Sequence, residues 1–191
     1  MTLLRVVRMR RSSSSVCSRS SASTLISSTK PLSAVSFSAA VAVESAAAAA
    51  TWATVEEATT EEDLIQCFEV MKELRPHHTI DSFCSTAEQM KAEGYHLLYM
   101  VDEGKPVCTA GFRFTTTLYD GLIIDFDDFV TIENGRNKGY AGILFDHLVS
   151  IAKERSIKTI HLNSAHHRYD AHRFYLNKKM KIIAHHFRIE I

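Results

Sequence analysis

One junction constrains this chain more than any other. A strand-like run from Ile123 to Ile132 leads into Arg136-Asn137-Lys138-Gly139-Tyr140-Ala141-Gly142, which opens an amphipathic helix reaching about Glu154. Tyr140, Ile143, Leu144, Leu148 and Ile151 recur along that helix at the spacing of a buried stripe. A glycine-bearing turn between strand and helix points free N–H groups outward at the positive end of the helix dipole. Such a turn holds phosphate without a lysine or a metal. The pattern Arg-x-x-Gly-x-Ala is neither the Gly-x-Gly-x-x-Gly of dinucleotide-binding folds nor a P-loop, which needs Gly-Lys-Ser/Thr.

Charge is unevenly distributed around this junction. The 191 residues carry 22 basic and 22 acidic side chains, enough chain for one domain of ordinary size. Arg5, Arg8, Arg10, Arg11, Arg19 and Lys30 all precede Glu44, the first acid, so the remainder has a net charge of −6. A folded part of that sign argues against nucleic acid as a partner, since phosphate-backbone binding is carried by Lys and Arg. The basic, Ser-rich, acid-free start reads as an organelle transit peptide over residues 1–50, mitochondrial first and plastid as the alternative. The Ala/Ser/Val-rich run from Ser33 to Ala50 is too weakly apolar to span a membrane, and Glu44 interrupts it. Cys67, Cys84 and Cys108 are odd in number, fall on separate elements and form no Cys-x-x-Cys, so three buried reduced thiols are expected.

Residues 51–191 then form the folded domain. A short strand near Trp52–Glu57 precedes Thr59-Thr60-Glu61-Glu62, a helix entry with a capping threonine and early acids. Leu64, Ile65, Phe68, Met71 and Leu74 make a helical stripe that stops before Pro76. A second helix covers about Ile80 to Glu93 and ends at Gly94. Strands follow at His96–Val101 and Pro106–Thr115, joined by the turn Asp102-Glu103-Gly104-Lys105, and a third spans Leu122–Ile132. Beyond the glycine turn and its helix come a strand at Lys158–Leu162, a helix at Tyr169–Lys178, and one or two final strands between Lys181 and Ile191. The fold class is mixed α/β, with a largely antiparallel first half.

With these elements placed, the chain resembles the GNAT superfamily of acetyl-CoA-dependent N-acetyltransferases. Asp127-Asp128-Phe129-Val130-Thr131 stands where that family has its cofactor-facing strand. Arg136 to Ala141 matches its Gln/Arg-x-x-Gly-x-Gly/Ala loop, and Asp170-Ala171-His172-Arg173-Phe174-Tyr175 matches its Ala-x-x-Phe-Tyr helix. The resemblance implies a central mixed sheet flanked by helices, acetyl-CoA as co-substrate, and no metal. Lys179-Met180 stands where the family usually has Gly-Phe, which costs about 1 kcal/mol if the site needs positive φ. The chain also ends soon after Phe187. A short final hairpin implies either a reduced wall beside the substrate cleft or one supplied by a partner subunit, as in a homodimer.

Site residues follow from the resemblance. Arg136, Asn137, Lys138, Gly139, Tyr140, Ala141 and Gly142 would hold the pyrophosphate. The backbone of Phe129, Val130 and Thr131 would align the pantetheine arm, with an N–H near Val130 facing the oxyanion. Tyr175 occupies the position of the family's tyrosine acid. An alkylamine acceptor, with a pKa of about 10.4, must lose a proton before it attacks. Asp127 is the first candidate for that base; a structural aspartate at a bulge is the alternative. Strict alternation would put Asp125 and Asp127 on one face and Asp128 on the other. Asp125, Arg75, His172 and His186 are candidate acceptor-binding residues, and Arg75 could hold a substrate carboxylate. The expected reaction is transfer of acetyl from acetyl-CoA to a small-molecule primary amine. Protein lysines or N-termini, or a non-catalytic acyl-CoA-binding role, stay open as alternatives.

Overall fold

The computed structural model describes residues 53–191. The transit-peptide reading of residues 1–50 lies outside them. Five strands form one sheet in the order β1-β2-β3-β4-β5. These are β1 (Thr54–Glu57), β2 (Tyr95–Asp102), β3 (Lys105–Thr117), β4 (Gly121–Thr131) and β5 (Thr159–Leu162). Pairing is antiparallel from β1 to β4, and β4 and β5 run parallel. The helices are α1 (Glu61–Met71), α2 (Ile80–Ala92), α3 (Tyr140–Glu154) and α4 (Tyr169–Asn177).

Both faces of the sheet are covered, and each has its own core. On one face Leu64, Cys67, Phe68 and Met71 of α1 and Phe83, Cys84 and Ala87 of α2 pack on Tyr95, Leu97 and Tyr99 of β2. On the other, Leu144, Phe145, Leu148 and Ile151 of α3 pack on Leu98, Met100, Cys108, Phe112, Ile124 and Phe126. Double coverage explains why β2 reads as a nearly continuous apolar run rather than an alternating one. The stripe expected on α3 is displaced at one position: Ile143 is exposed and Phe145 is buried in its place. Cys67, Cys84 and Cys108 are buried free thiols, as expected.

The first two helices are closed by their own side chains. Thr60 and Asp63 form a capping box on α1, and Thr79 and Ser82 form one on α2. The β2–β3 turn has left-handed Glu103 and Gly104, the geometry of a tight hairpin.

The C-terminal segment corrects the sequence reading. No strand forms between Lys181 and Ile191, although the sequence alternates there. The chain leaves α4 through a Schellman turn, in which Met180 N–H donates to the Tyr175 carbonyl and Lys179 N–H to that of Leu176. Lys179 adopts φ 67°, the left-handed conformation that favours glycine. Lys179→Gly is therefore expected to stabilise the domain by about 1 kcal/mol, read as a higher urea midpoint with unchanged slope.

Candidate active site

A register skip in β4 organises the site. Opposite β3, Gly111 pairs with Asp128 and Phe112 with Phe126, so Asp127 is an extra residue without a partner. The skip turns over the second half of the strand. Phe126 and Phe129 both face α3, with ring centroids 5.7 Å apart, while Asp127 and Asp128 both line a cavity on the α1–α2 side. The alternation expected from sequence, with Asp127 and Asp128 on opposite faces, does not hold, because the bulge absorbs one residue.

That cavity has a volume of about 260 Å³. Met71, Phe83, Ala87 and Met90 give it apolar walls, and Arg75, Arg113, Asp127, Asp128 and Tyr95 bring polar atoms to it. Asp128, only 10% exposed, accepts from Arg75 at 2.7 and 2.9 Å and from the Tyr95 hydroxyl at 3.1 Å. Burial, with Asp128 next in effect, holds the Tyr95 phenol well above its ordinary pKa, so it serves as a donor. Tyr95 needs Gly111: a Cβ there would lie 1.9 Å from the phenol oxygen. Arg75 also donates to the Asp127 carbonyl at 3.3 Å. Its guanidinium thus spans the bulge and is already paired with a carboxylate of the protein.

Asp127 is more accessible, at 35% side-chain exposure. Its Oδ2 accepts from Arg113 Nε at 2.8 Å, and the pair raises the guanidinium pKa further. Asp125 is drawn above the usual carboxylate range, first by burial and then by the nearby charge of Asp127. His172 lies on α4 and His186 in the exposed C-terminal segment, and neither lines the cavity.

On the other flank, the pairing of β4 with β5 runs only from Ile123–Thr159 to Phe126–Leu162. Past Phe126 the strands separate, leaving the edge of β4 at Phe129, Val130 and Thr131 without a β5 partner. Tyr175 closes this gap from α4, its ring 6.5 Å from that of Phe129. Burial pushes its phenol up to about 12, with the charge of Arg168 opposing.

The loop after β4 delivers α3 to the same place. Gly139 precedes the helix at φ 89°, and no side chain caps it. The first turn of α3 has no acid, whereas that of α1 holds Glu61, Glu62 and Asp63. The amides of Tyr140, Ala141 and Gly142 are thus left for an external anion, the arrangement a pyrophosphate requires. Asn137 is also left-handed, and Lys138 is exposed. Arg136 works structurally, donating to the Thr131 carbonyl at 3.4 Å and to Glu73 at 2.8 Å. Glu73 also accepts from the Glu133 N–H at 2.8 Å, so a residue just after α1 holds both ends of the loop turn. Sequence reading missed Glu73, Tyr95, Gly111 and Arg113, because their roles depend on contacts between distant segments. Tyr140 anchors the start of α3 by donating to Asp102 at the end of β2. Among the described residues no cluster of three or more His, Cys, Asp or Glu is placed to hold a metal ion.

The comparisons agree with this geometry. The profile of the Acetyltransferase (GNAT) family matches residues 57–180, and the chain belongs to that family. Its members are acetyltransferases that use acetyl-CoA. An uncharacterized N-acetyltransferase of Bacillus subtilis (strain 168) is 26% identical over 63% of this chain and 85% of its own length. A transcriptional regulator from Bacillus halodurans C-125 superposes with a TM-score of 0.65 at 23% identity, over 73% of this chain and 99% of that one. A ribosomal-protein-alanine N-acetyltransferase from Brucella melitensis biovar Abortus 2308 gives 0.63 at 17% identity, over 73% and 99%. The aminoglycoside N-acetyltransferase AAC(6')-Iy, solved with CoA, gives 0.64 at 10% identity, over 73% and 94%. These structures share the fold.

Two outcomes are expected. Glu73→Ala frees the loop turn and should weaken acetyl-CoA binding by about 1 kcal/mol, roughly fivefold by calorimetry, with little change in fold. Two phenols hold their protons more tightly folded than unfolded, Tyr140 chiefly through its hydrogen bond to Asp102 and Tyr175 through burial, so their contribution to stability is complete below about pH 10. It is lost as pH climbs through the folded values, about 12 for Tyr140 and Tyr175. Tyrosinate absorbance of the native protein should therefore lag that of the urea-unfolded chain, and Tyr175→Phe should remove part of the lag.

Proposed function

We propose that this protein transfers an acetyl group from acetyl-CoA to the primary amine of a small molecule, by direct attack in a ternary complex. The observation that carries this reading is the placement of the 260 Å³ cavity against the bulged strand whose opposite edge is open. Thioester and amine can approach β4 from its two sides and meet at the bulge. A cavity of this size suits a compact amine better than a folded protein segment. Its charges are compensated in pairs, Arg75 with Asp128 and Arg113 with Asp127, which favours an acceptor with one cationic amine and an otherwise uncharged body.

Each residue then has a defined task. The amides of Tyr140, Ala141 and Gly142 receive the pyrophosphate, and the free edge of Phe129–Thr131 pairs with the pantetheine arm. Asp127 keeps Oδ1 without a partner among the described residues, so it can accept a proton from the ammonium, directly or through water. The freed amine forms the C–N bond, and the C–S bond breaks. Tyr175 supplies a hydrogen bond to the departing sulfur. Full proton transfer from a phenol near 12 to a thiolate of ordinary pKa, about 8.5, would run uphill by more than three units, about 5 kcal/mol. Hydrogen-bond donation is the cheaper role.

Thiol release measured with acetyl-CoA and a panel of amines tests the reading. Asp127→Asn should lower kcat at pH 7 by about 10²-fold, partly recovered at higher pH where free amine is more abundant. Tyr175→Phe should lower kcat by a smaller factor with acetyl-CoA affinity retained. Coenzyme binding without thiol release from any amine would instead mark a non-catalytic acyl-CoA-binding protein.

A further inference from the structure

One histidine of the cavity has its tautomer dictated by the cap of α2. His78 lines the cavity from the connector between α1 and α2, half-buried, with its backbone N–H donating to the Arg75 carbonyl at 3.2 Å. Its Nδ1 lies 3.1 Å from Ser82 Oγ, the same hydroxyl that closes the capping box of α2. That hydroxyl has three neighbours and one proton. It accepts from the Thr79 N–H at 2.9 Å and stands 3.1 Å from the Thr79 carbonyl, which can only accept. Were its proton given to His78, two oxygen atoms would face each other at 3.1 Å with no proton between them. All three contacts are hydrogen bonds only when Ser82 donates to the carbonyl and His78 Nδ1–H donates to Ser82. The neutral ring then keeps its lone pair on Nε2, which has no partner among the described residues. With Nδ1 turned to α2, Nε2 is the polar atom that His78 offers the cavity.

Most other polar groups of the cavity are engaged in pairs. Asp128 accepts on both oxygens, from Arg75 and from Tyr95, and Asp127 Oδ2 accepts from Arg113. The groups left that can only accept are Asp127 Oδ1 and His78 Nε2. They sit on different elements, the bulge of β4 and the α1–α2 connector. A ligand that satisfies both needs two donors. The ammonium of the acceptor serves Asp127. A second ammonium at His78 would bring a charge that no further free carboxylate of the cavity compensates, and a buried uncompensated charge is costly. A hydroxyl brings a donor without a charge.

We propose that His78 selects the acceptor, and that the acceptor is an amino alcohol whose amine meets Asp127 and whose hydroxyl donates to His78 Nε2. This rests on the cavity being the acceptor site of the proposed reaction. An alkylamine of equal length would leave Nε2 against a methyl group, and a polar atom shut away from water without a donor costs free energy.

Equilibrium binding of amino alcohols to the full chain saturated with coenzyme A tests this. Each is compared with the alkylamine in which methyl replaces hydroxyl: ethanolamine with propylamine, propanolamine with butylamine, and longer pairs. At the best-fitting length the amino alcohol should bind about fivefold more tightly than its alkylamine, and more tightly than the corresponding diamine. His78→Phe, which keeps a ring but has no acceptor, should bring the ratio to about one. Both ligands are measured on the same variant, so damage to the fold divides out. Proton–nitrogen correlation spectra should place the proton of the neutral His78 ring on Nδ1. Equal binding within every pair, a diamine that binds best, a preference that survives His78→Phe, or a proton on Nε2 would each overturn the proposal. Binding is read without turnover. A protein that keeps the preference but releases no thiol would sink the acetyl-transfer reading and leave this one standing.

Discussion

Two consecutive residues of a sheet strand can face the same side only if its alternation is interrupted. In β4 that interruption is Asp127, the unpaired residue opposite Gly111 and Phe112. It lets two phenylalanines, Phe126 and Phe129, join the α3 core while two consecutive aspartates face the α1–α2 cavity. Were the alternation unbroken through Asp127, Phe129 would leave its aromatic cluster and Asp128 would enter an apolar core without a partner, and an unpaired buried carboxylate is prohibitive. Arg75, Tyr95 and Gly111 are what make the bulge tolerable. Arg75 and Tyr95 satisfy Asp128, and the absence of a side chain at Gly111 makes room for the phenol.

Phe129 links this arrangement to the other flank. Its ring lies 5.8 Å from Phe174 and 6.5 Å from Phe145, so β4, α3 and α4 meet on one aromatic cluster. Lys178 fastens the same corner from the end of α4, donating to Asp146 at 2.7 Å and to the Gly142 carbonyl at 3.3 Å. Tyr175 is thereby held at the mouth of the β4–β5 gap by packing, without any hydrogen bond to its own oxygen among the described residues. A phenol buried this way stays protonated and keeps its donor for whatever enters the gap.

Much of this was legible in the sequence, and the misses have physical causes. Helices with capping threonines and the Glu103-Gly104 hairpin were readable because their signals are local, and the junction at Gly139 because only glycine takes that backbone freely. The bulge was anticipated only through the family resemblance, because one residue more or less in an eleven-residue strand has no composition signature. Arg75 was expected to face a substrate carboxylate, since proximity of Asp128 cannot be read across more than fifty intervening residues. Glu73 was missed for the same reason. The final segment failed differently. It was read as one or two strands and forms none, because a strand requires a neighbour, and no sequence pattern states whether one is within reach.

The stretch joining α1 to α2 grips β4 and its following loop at two points only two residues apart in sequence. Glu73 fastens the turn that leads into α3, and Arg75 spans the bulge beside the cavity. Under the proposed reaction acetyl-CoA and amine would share this connector, and any coupling between them would be reciprocal: each would change the other's binding free energy by the same amount.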